Sequence, residues 1–179
     1  MKKLIVLVCL LLSAACVKPA AETKQAGAQN QQPASATNNQ SQQIKSTDVV
    51  KVTPQELTLA KGQSDYAIVR LQIQSGYHIN ANPPSLPYLI PTDLQLPPAS
   101  GITVSFVTYP DPLTKTFSFA DEPLKVYEGD TTVKAMLKAT PAAEPGKHNL
   151  SAKLRVQACD DQVCYAPGTI DLTIPVTVK

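Results

Sequence analysis

Tryptophan is absent from the 179 residues, and no cluster of arginines occurs. Charge is nearly balanced, with 16 Lys+Arg against 14 Asp+Glu, and Lys2 and Lys3 lie at the very start. Without that pair, 14 basic residues face 14 acidic ones, so no basic field remains to attract a nucleic acid. There is no Gly-rich phosphate loop and no Ser/His/Asp order with motif spacing, which leaves nucleotide handling and triad hydrolysis without support. No stretch shows a helical stripe of useful length. The unbroken apolar run at 4–12 is nine residues long, far short of the roughly 20 that a membrane-spanning helix needs.

What is present at the start has the form of a targeting segment. Lys2 and Lys3 precede the apolar run, and Ser13, Ala14 and Ala15 are the small residues before a cleavage point. Cys16 follows directly, so residues 1–15 read as a lipoprotein signal and Cys16 as the acylated first residue of the mature chain. Leu12 sits one place farther from the cysteine than the lipobox pattern has it, and an ordinary cleavage near Ala15 would leave Cys16 as an odd thiol. The expected location is the periplasmic side of a bacterial membrane. Val17, where some lipoproteins carry a retaining aspartate, points to the outer one.

Residues 16–47 are dominated by Gln, Asn, Ala, Ser, Thr and Pro, as in Ala36-Thr-Asn-Asn-Gln-Ser-Gln-Gln43. Such a composition cannot bury enough apolar area to offset the entropy of ordering, and reads as a flexible tether with a reach of roughly 30 Å. Residues 48–179 are enough for one domain with its own core, and their pattern is β. Val133, Ala135, Leu137 and Ala139 alternate with polar neighbours, as do Ala152, Leu154, Val156 and Ala158, and then Ile170, Leu172, Ile174, Val176 and Val178. Further strands are expected at 49–52, 56–60, 66–74, 102–108 and 124–127, separated by turn signals such as Ser75-Gly76 and Pro145-Gly146. Pro175 suits an edge strand or a position whose missing N–H faces outward. Seven or eight short antiparallel strands around one core predict an all-β, immunoglobulin-like sandwich. Two segments, 80–98 with six prolines and 109–123, read as long loops, and loops of that length carry function or conceal unread elements.

Cys159 and Cys164 are the only thiols of residues 48–179, in Ala158-Cys-Asp-Asp-Gln-Val-Cys-Tyr-Ala-Pro-Gly168. Four intervening residues between two strands can bring the Cα atoms to the ~4.4–6.8 Å of a disulfide, which persists outside the cytoplasm. Three readings compete. A permanent staple gains little across so short a loop. A metal site lacks ligands, because His78 and His148 are distant in sequence and read as surface or loop residues. A redox-active dithiol would cycle by thiolate attack through a mixed disulfide. Negative charge from Asp160 and Asp161 raises a neighbouring thiol pKa, which suits a relay better than a strong oxidant.

Four segments carry a resemblance: Gly76-Tyr-His-Ile-Asn-Ala-Asn-Pro-Pro84, Leu89-Ile-Pro-Thr92, Lys125-Val-Tyr-Glu-Gly129 and Arg155-Val-Gln-Ala-Cys-Asp-Asp-Gln-Val-Cys-Tyr-Ala-Pro167. With them the domain resembles the N-terminal periplasmic domain of the DsbD thiol:disulfide interchange family. The resemblance implies an immunoglobulin-like fold with the cysteines at one end. It implies Cys164 as the sulfur that forms mixed disulfides and Cys159 as the one that resolves them, with Tyr165 the aromatic neighbour. A cap loop is implied over the pair, with Phe119 the first candidate, Phe117 the second, and Asp121 and Glu122 beside them. A thioredoxin-like domain or membrane thiol reductase would donate electrons, and oxidised periplasmic thiol proteins would accept them; no cofactor is expected. The pair has one intervening residue fewer than the best-known member. The resemblance does not extend to the membrane-spanning and thioredoxin-like parts of a full-length member, so a donor on another chain is expected. The competing expectation is a non-enzymatic immunoglobulin-like binding or assembly lipoprotein with a structural bridge.

Overall fold

The computed structural model describes residues 44–179; the expected leader, the lipidation site Cys16 and most of the tether lie outside the described residues. Twelve strands follow in order: β1 (Val50–Pro54), β2 (Leu57–Leu59), β3 (Ser64–Ile73), β4 (His78–Asn80), β5 (Asp93–Gln95), β6 (Ile102–Thr108), β7 (Leu113–Lys115), β8 (Leu124–Tyr127), β9 (Asp130–Ala139), β10 (Gly146–Val156), β11 (Ala158–Cys159) and β12 (Gly168–Val178). The fold is all-β and of the expected immunoglobulin-like sandwich type. It holds more strands than the seven or eight expected, because β4, β5 and β7 are three residues long and too short to show a period.

Two four-stranded sheets form the sandwich, one ordered β1-β3-β9-β6 and the other β2-β12-β10-β5. The alternating runs face each other across it. Val133, Ala135, Leu137 and Ala139 on β9 are fully buried while Lys134 and Lys138 are exposed, and Ala152, Leu154 and Val156 on β10 do the same from the other sheet. Register is held by long antiparallel ladders, β3 on β9 and β10 on β12, where a slip of one residue would turn every apolar side chain outward. One contact departs from the antiparallel expectation: β2 pairs with the end of β12 in parallel, Leu57 opposite Val176. Pro175 lies just before that stretch, where this side of β12 has no strand partner among the described residues, so its missing N–H costs no ladder bond.

A third sheet, ordered β11-β4-β8-β7, grows from one end of the sandwich. β4 continues from β3 through a tight turn in which the Tyr77 amide donates to the Gln74 carbonyl, with Gly76 at φ 85° in the position that demands a positive value. β11 continues from β10 after the single residue Gln157, and β8 leads into β9 across Gly129. Those three junctions place the cysteines, the segment at 78–80 and the hairpin β7–β8 on one small sheet. It has its own apolar cluster of Leu89, Phe117, Leu124 and Val126.

The proline-rich segment at 80–98 is held by side chains in place of a ladder. Buried Asn80 donates from Nδ2 to the Ile90 carbonyl (3.1 Å) and to Gln157 Oε1 (3.0 Å), and its carbonyl accepts from the buried Thr92 hydroxyl (2.7 Å). Gln157 Oε1 also accepts from the Ile90 amide, and the Tyr127 hydroxyl accepts from the Asn82 amide. Such networks hold a loop in one conformation because each buried polar group that lost its partner would cost free energy.

Candidate functional site

Cys159 and Cys164 are joined by a disulfide, with Cα atoms 3.9 Å apart, closer than the range expected. The backbone gives the reason. The Asp160 amide donates to the Val163 carbonyl and the Tyr165 amide to the Ala158 carbonyl, so the two cysteines form a non-hydrogen-bonded antiparallel pair, the closest arrangement two strands offer. Cys159 is fully buried, whereas Cys164 is partly exposed. The two residues of one bridge are therefore exposed unequally.

The turn between them is built by Asp160. Its Oδ1 accepts from the amides of Gln162 and Val163, both at 2.8 Å, and its Oδ2 accepts from the Tyr165 hydroxyl at 2.5 Å. The phenol bond leads, with those amides, in holding the Asp160 carboxyl below its usual range, and the same bond pushes Tyr165 up to about 12. Asp160 is thus an ionised neighbour of the pair that also closes its turn, which sequence reasoning did not foresee. Asp161 is exposed, and its carbonyl accepts from Ser118 Oγ at 2.9 Å.

That last bond ties the cysteine turn to the loop between β7 and β8. The two candidate cap aromatics lie on this loop, and they differ. Phe117 is 5% exposed and packs in the small apolar cluster, while Phe119 is 37% exposed and stacks on Phe117 with ring centres 5.1 Å apart. Asp121 and Glu122 are both exposed farther along the loop.

Two groups at the site escaped the sequence reading. His78 is not a surface or loop residue: it lies in β4, 4% exposed and directly opposite Cys159 in the ladder. Its ring meets Phe117 edge-on at 5.2 Å, and its Nε2 lies 3.0 Å from Glu128 Oε2 and 2.9 Å from Lys115 Nζ. Lys115 also donates to Glu128, and that bond is the leading cause holding the Glu128 carboxyl below its ordinary value. His148 lies in β10, half-buried, with Nε2 2.7 Å from the Glu144 carbonyl oxygen and no link to the cysteines. The second group is Ser46, fully buried, whose hydroxyl donates to the Ala166 carbonyl (2.7 Å) and accepts from the Ala158 amide (2.9 Å). Ser46 and Thr47, whose composition matches the tether, therefore strap both flanks of the cysteine turn. A Cβ at Gly168 would come within 2.6 Å of Thr47 Cγ2, so any larger residue there would have to displace that methyl. Among the described residues no group of three or more His, Cys, Asp or Glu side chains is placed to hold a metal ion.

A buried cysteine bonded to a partly exposed one, on a tight turn tied through Ser118 to the loop that carries Phe117 and Phe119, is an arrangement suited to exchange with an incoming thiol. Two solved structures resemble the fold: the N-terminal domain of DsbD from Neisseria meningitidis in its reduced form, at 19% identity over 65% of this chain and 82% of that one with a TM-score of 0.45, and the N-terminal periplasmic domain of ScsB from Proteus mirabilis, at 15% identity over 70% of this chain and 44% of that one with a TM-score of 0.48. No curated protein matches the chain. The family profile of the N-terminal region of the thiol:disulfide interchange protein DsbD matches residues 46–174, from the Ser46 strap through the cysteine turn into β12. The chain belongs to that family, and its general chemistry is thiol:disulfide interchange.

Proposed function

We propose that this domain is an electron relay of the cell envelope, taking reducing equivalents from a thioredoxin-like domain or membrane thiol reductase and passing them to oxidised periplasmic thiol proteins. In the first half-cycle a donor thiolate attacks Sγ of Cys164. The intramolecular S–S bond breaks, and Cys159 leaves with the electron pair and takes up a proton. The donor's second thiolate then displaces Cys164, so the donor departs oxidised and the domain holds two thiols. In the second half-cycle Cys164 attacks an acceptor disulfide and Cys159 resolves the mixed disulfide, restoring the bridge. Two electrons pass in each half-cycle.

The observation that supports this reading is the unequal exposure of the two residues, Cys164 partly exposed and Cys159 fully buried, which favours Cys164 as the point of attack. Phe119, exposed and stacked on Phe117, is proposed as the movable part of the cap, with Asp121 and Glu122 on its flank. The carboxylate of Asp160 beside the pair disfavours a free thiolate and therefore a strongly oxidising couple. We further propose that Cys16 carries a lipid that holds the domain at the periplasmic face of a membrane, the outer one by the residue that follows it.

The test is a pair of single-cysteine variants mixed with a thioredoxin-like protein that keeps only its attacking cysteine, activated as a mixed disulfide with thionitrobenzoate. Cys159→Ser is expected to accumulate a mixed disulfide through Cys164, visible by mass spectrometry, while Cys164→Ser forms none. A bridge that stays inert to thioredoxin-like donors in the folded protein would replace the relay with a structural disulfide in a binding lipoprotein.

A further inference from the structure

We propose that His78, oriented by Glu128, accepts the proton of the resolving sulfur Cys159; the inference deepens the interchange reading and rests on it. Cys164 is bridged to Cys159, and Cys159 is opposite His78 in the β11–β4 ladder. Directly opposed residues share one face of a sheet, with Cβ atoms about 4.5–5.5 Å apart. The three side chains therefore form one row, and the imidazole is the titratable group beside the buried sulfur. The next residue in the row is Glu128: the β4–β8 register sets Ile79 opposite Tyr127, and one further step brings His78 to Glu128, whose carboxylate touches Nε2.

The ring is wired at one end and open at the other. Nε2 has both Glu128 and Lys115 within hydrogen-bond distance, whereas Nδ1 is buried with no hydrogen-bond partner among the described residues. A buried polar atom without a partner calls for an explanation. The Lys115 ammonium can only donate and makes its shorter contact with Glu128 Oε2, 2.5 Å against 2.9 Å to Nε2; with that carboxylate also accepting the Nε2 proton, the ring takes the tautomer whose Nδ1 carries a lone pair. A carboxylate, a histidine and a sulfur nucleophile in that order reproduce the logic of base-activated thiols. The titratable groups facing the ring are Cys159 from β11, Glu128 from just past the end of β8 and Lys115 from the end of β7; the loop between β7 and β8 presents the uncharged Phe117.

The step follows. A free thiol, with an ordinary pKa near 8.5 and higher when buried, is mostly protonated at neutral pH and attacks poorly. Once Cys164 is in a mixed disulfide, the Cys159 proton moves to Nδ1 as the sulfur's electron pair forms a bond to Sγ of Cys164. The bond from Cys164 to the external sulfur breaks, and that sulfur leaves as a thiolate. When the bridge is reduced the same path runs backwards, with the imidazolium returning the proton to the departing Cys159.

Stopped-flow oxidation of the reduced full chain by dithiobis(nitrobenzoate) separates the two events. The first coloured thiolate reports attack by Cys164, and the second reports resolution by Cys159. His78→Gln is expected to leave the first phase unchanged and slow the second about 100-fold at pH 7, the scale of a lost general base, with the gap closing as pH rises past the thiol's own ionisation. Glu128→Gln, at a side chain 37% exposed, is expected to slow the second phase about tenfold in the same pH-dependent way, and it decides the matter should the buried substitution at His78 prevent folding. A second phase unchanged at pH 7, or slowed equally at every pH, would overturn the role of His78. A wild-type chain with no first phase would instead remove the interchange reading itself.

Discussion

Ser46→Ala asks whether the strap really secures the cysteine turn. The substitution removes one oxygen and two hydrogen bonds, and the two losses differ. The Ala158 amide is fully buried and would be left without a partner, which costs about 1–3 kcal/mol. Ala166 is exposed, so its carbonyl can turn to water, and only the net worth of a hydrogen bond, about 0.5–1 kcal/mol, is lost there. The sum is about 1.5–4 kcal/mol. For a domain of this size each kcal/mol lowers Tm by roughly 3–5 °C, so a fall of about 10 °C is expected in a thermal melt. Ser151→Ala, at an exposed serine of β10, is the control and should stay within about 0.5 kcal/mol of wild type. Hydrogen exchange should locate the effect, with the Ala158 and Tyr165 amides losing protection before those of β9 do. A Ser46→Ala melt within the control's range would refute the strap, because the buried Ala158 amide would then have lost its partner at no cost.

The two cap aromatics should separate cleanly. Phe117→Ala empties a buried site and should cost about 3 kcal/mol in a urea titration, whereas Phe119→Ala should leave stability within about 0.5 kcal/mol while speeding reduction of the bridge by a small thiol. Gly168→Ala should destabilise through the clash with Thr47 Cγ2, and Thr47→Ser, which deletes that methyl, should restore the loss in the double variant; failure of the rescue would mean the glycine is needed for another reason. The Asp160–Tyr165 bond has a definite pH signature. A depressed carboxylate contributes above its unfolded value near 3.9 and fades as pH falls through the folded one, and a phenol raised to about 12 contributes below 10 and fades between 10 and about 12. The Tm difference between wild type and Tyr165→Phe should therefore be flat near neutrality and shrink at both extremes, and a difference that persists unchanged above pH 11 would contradict the assignment.

The long strands were legible because period two persists over enough residues to be read, as in β9, β10 and β12, where buried and exposed positions alternate as the composition implies. The cysteine pair was legible for the same local reason, lying on one turn. What escaped is non-local. β4 has three residues, all buried, so it shows no alternation, and His78 could be placed against Cys159 only by a pairing 81 positions apart. Glu128 and Lys115 join it through a third and a fourth strand of the same sheet. Ser46 was hidden by composition: a serine among Gln, Ser and Thr gives no sign that its hydroxyl is enclosed 120 residues away. Asp160 was legible as a charge near the thiols and illegible as the acceptor that closes their turn, since the phenol of Tyr165 had to fold back over it.

Whether the Cys159–Cys164 bridge is a working couple or a staple is decided most directly by its reduction potential. Equilibration of the folded domain in glutathione buffers, with the reduced fraction read by thiol labelling and mass, should give a value above about −300 mV, in the range of labile and catalytic disulfides. A value well below that would mark a structural bridge and contradict the account.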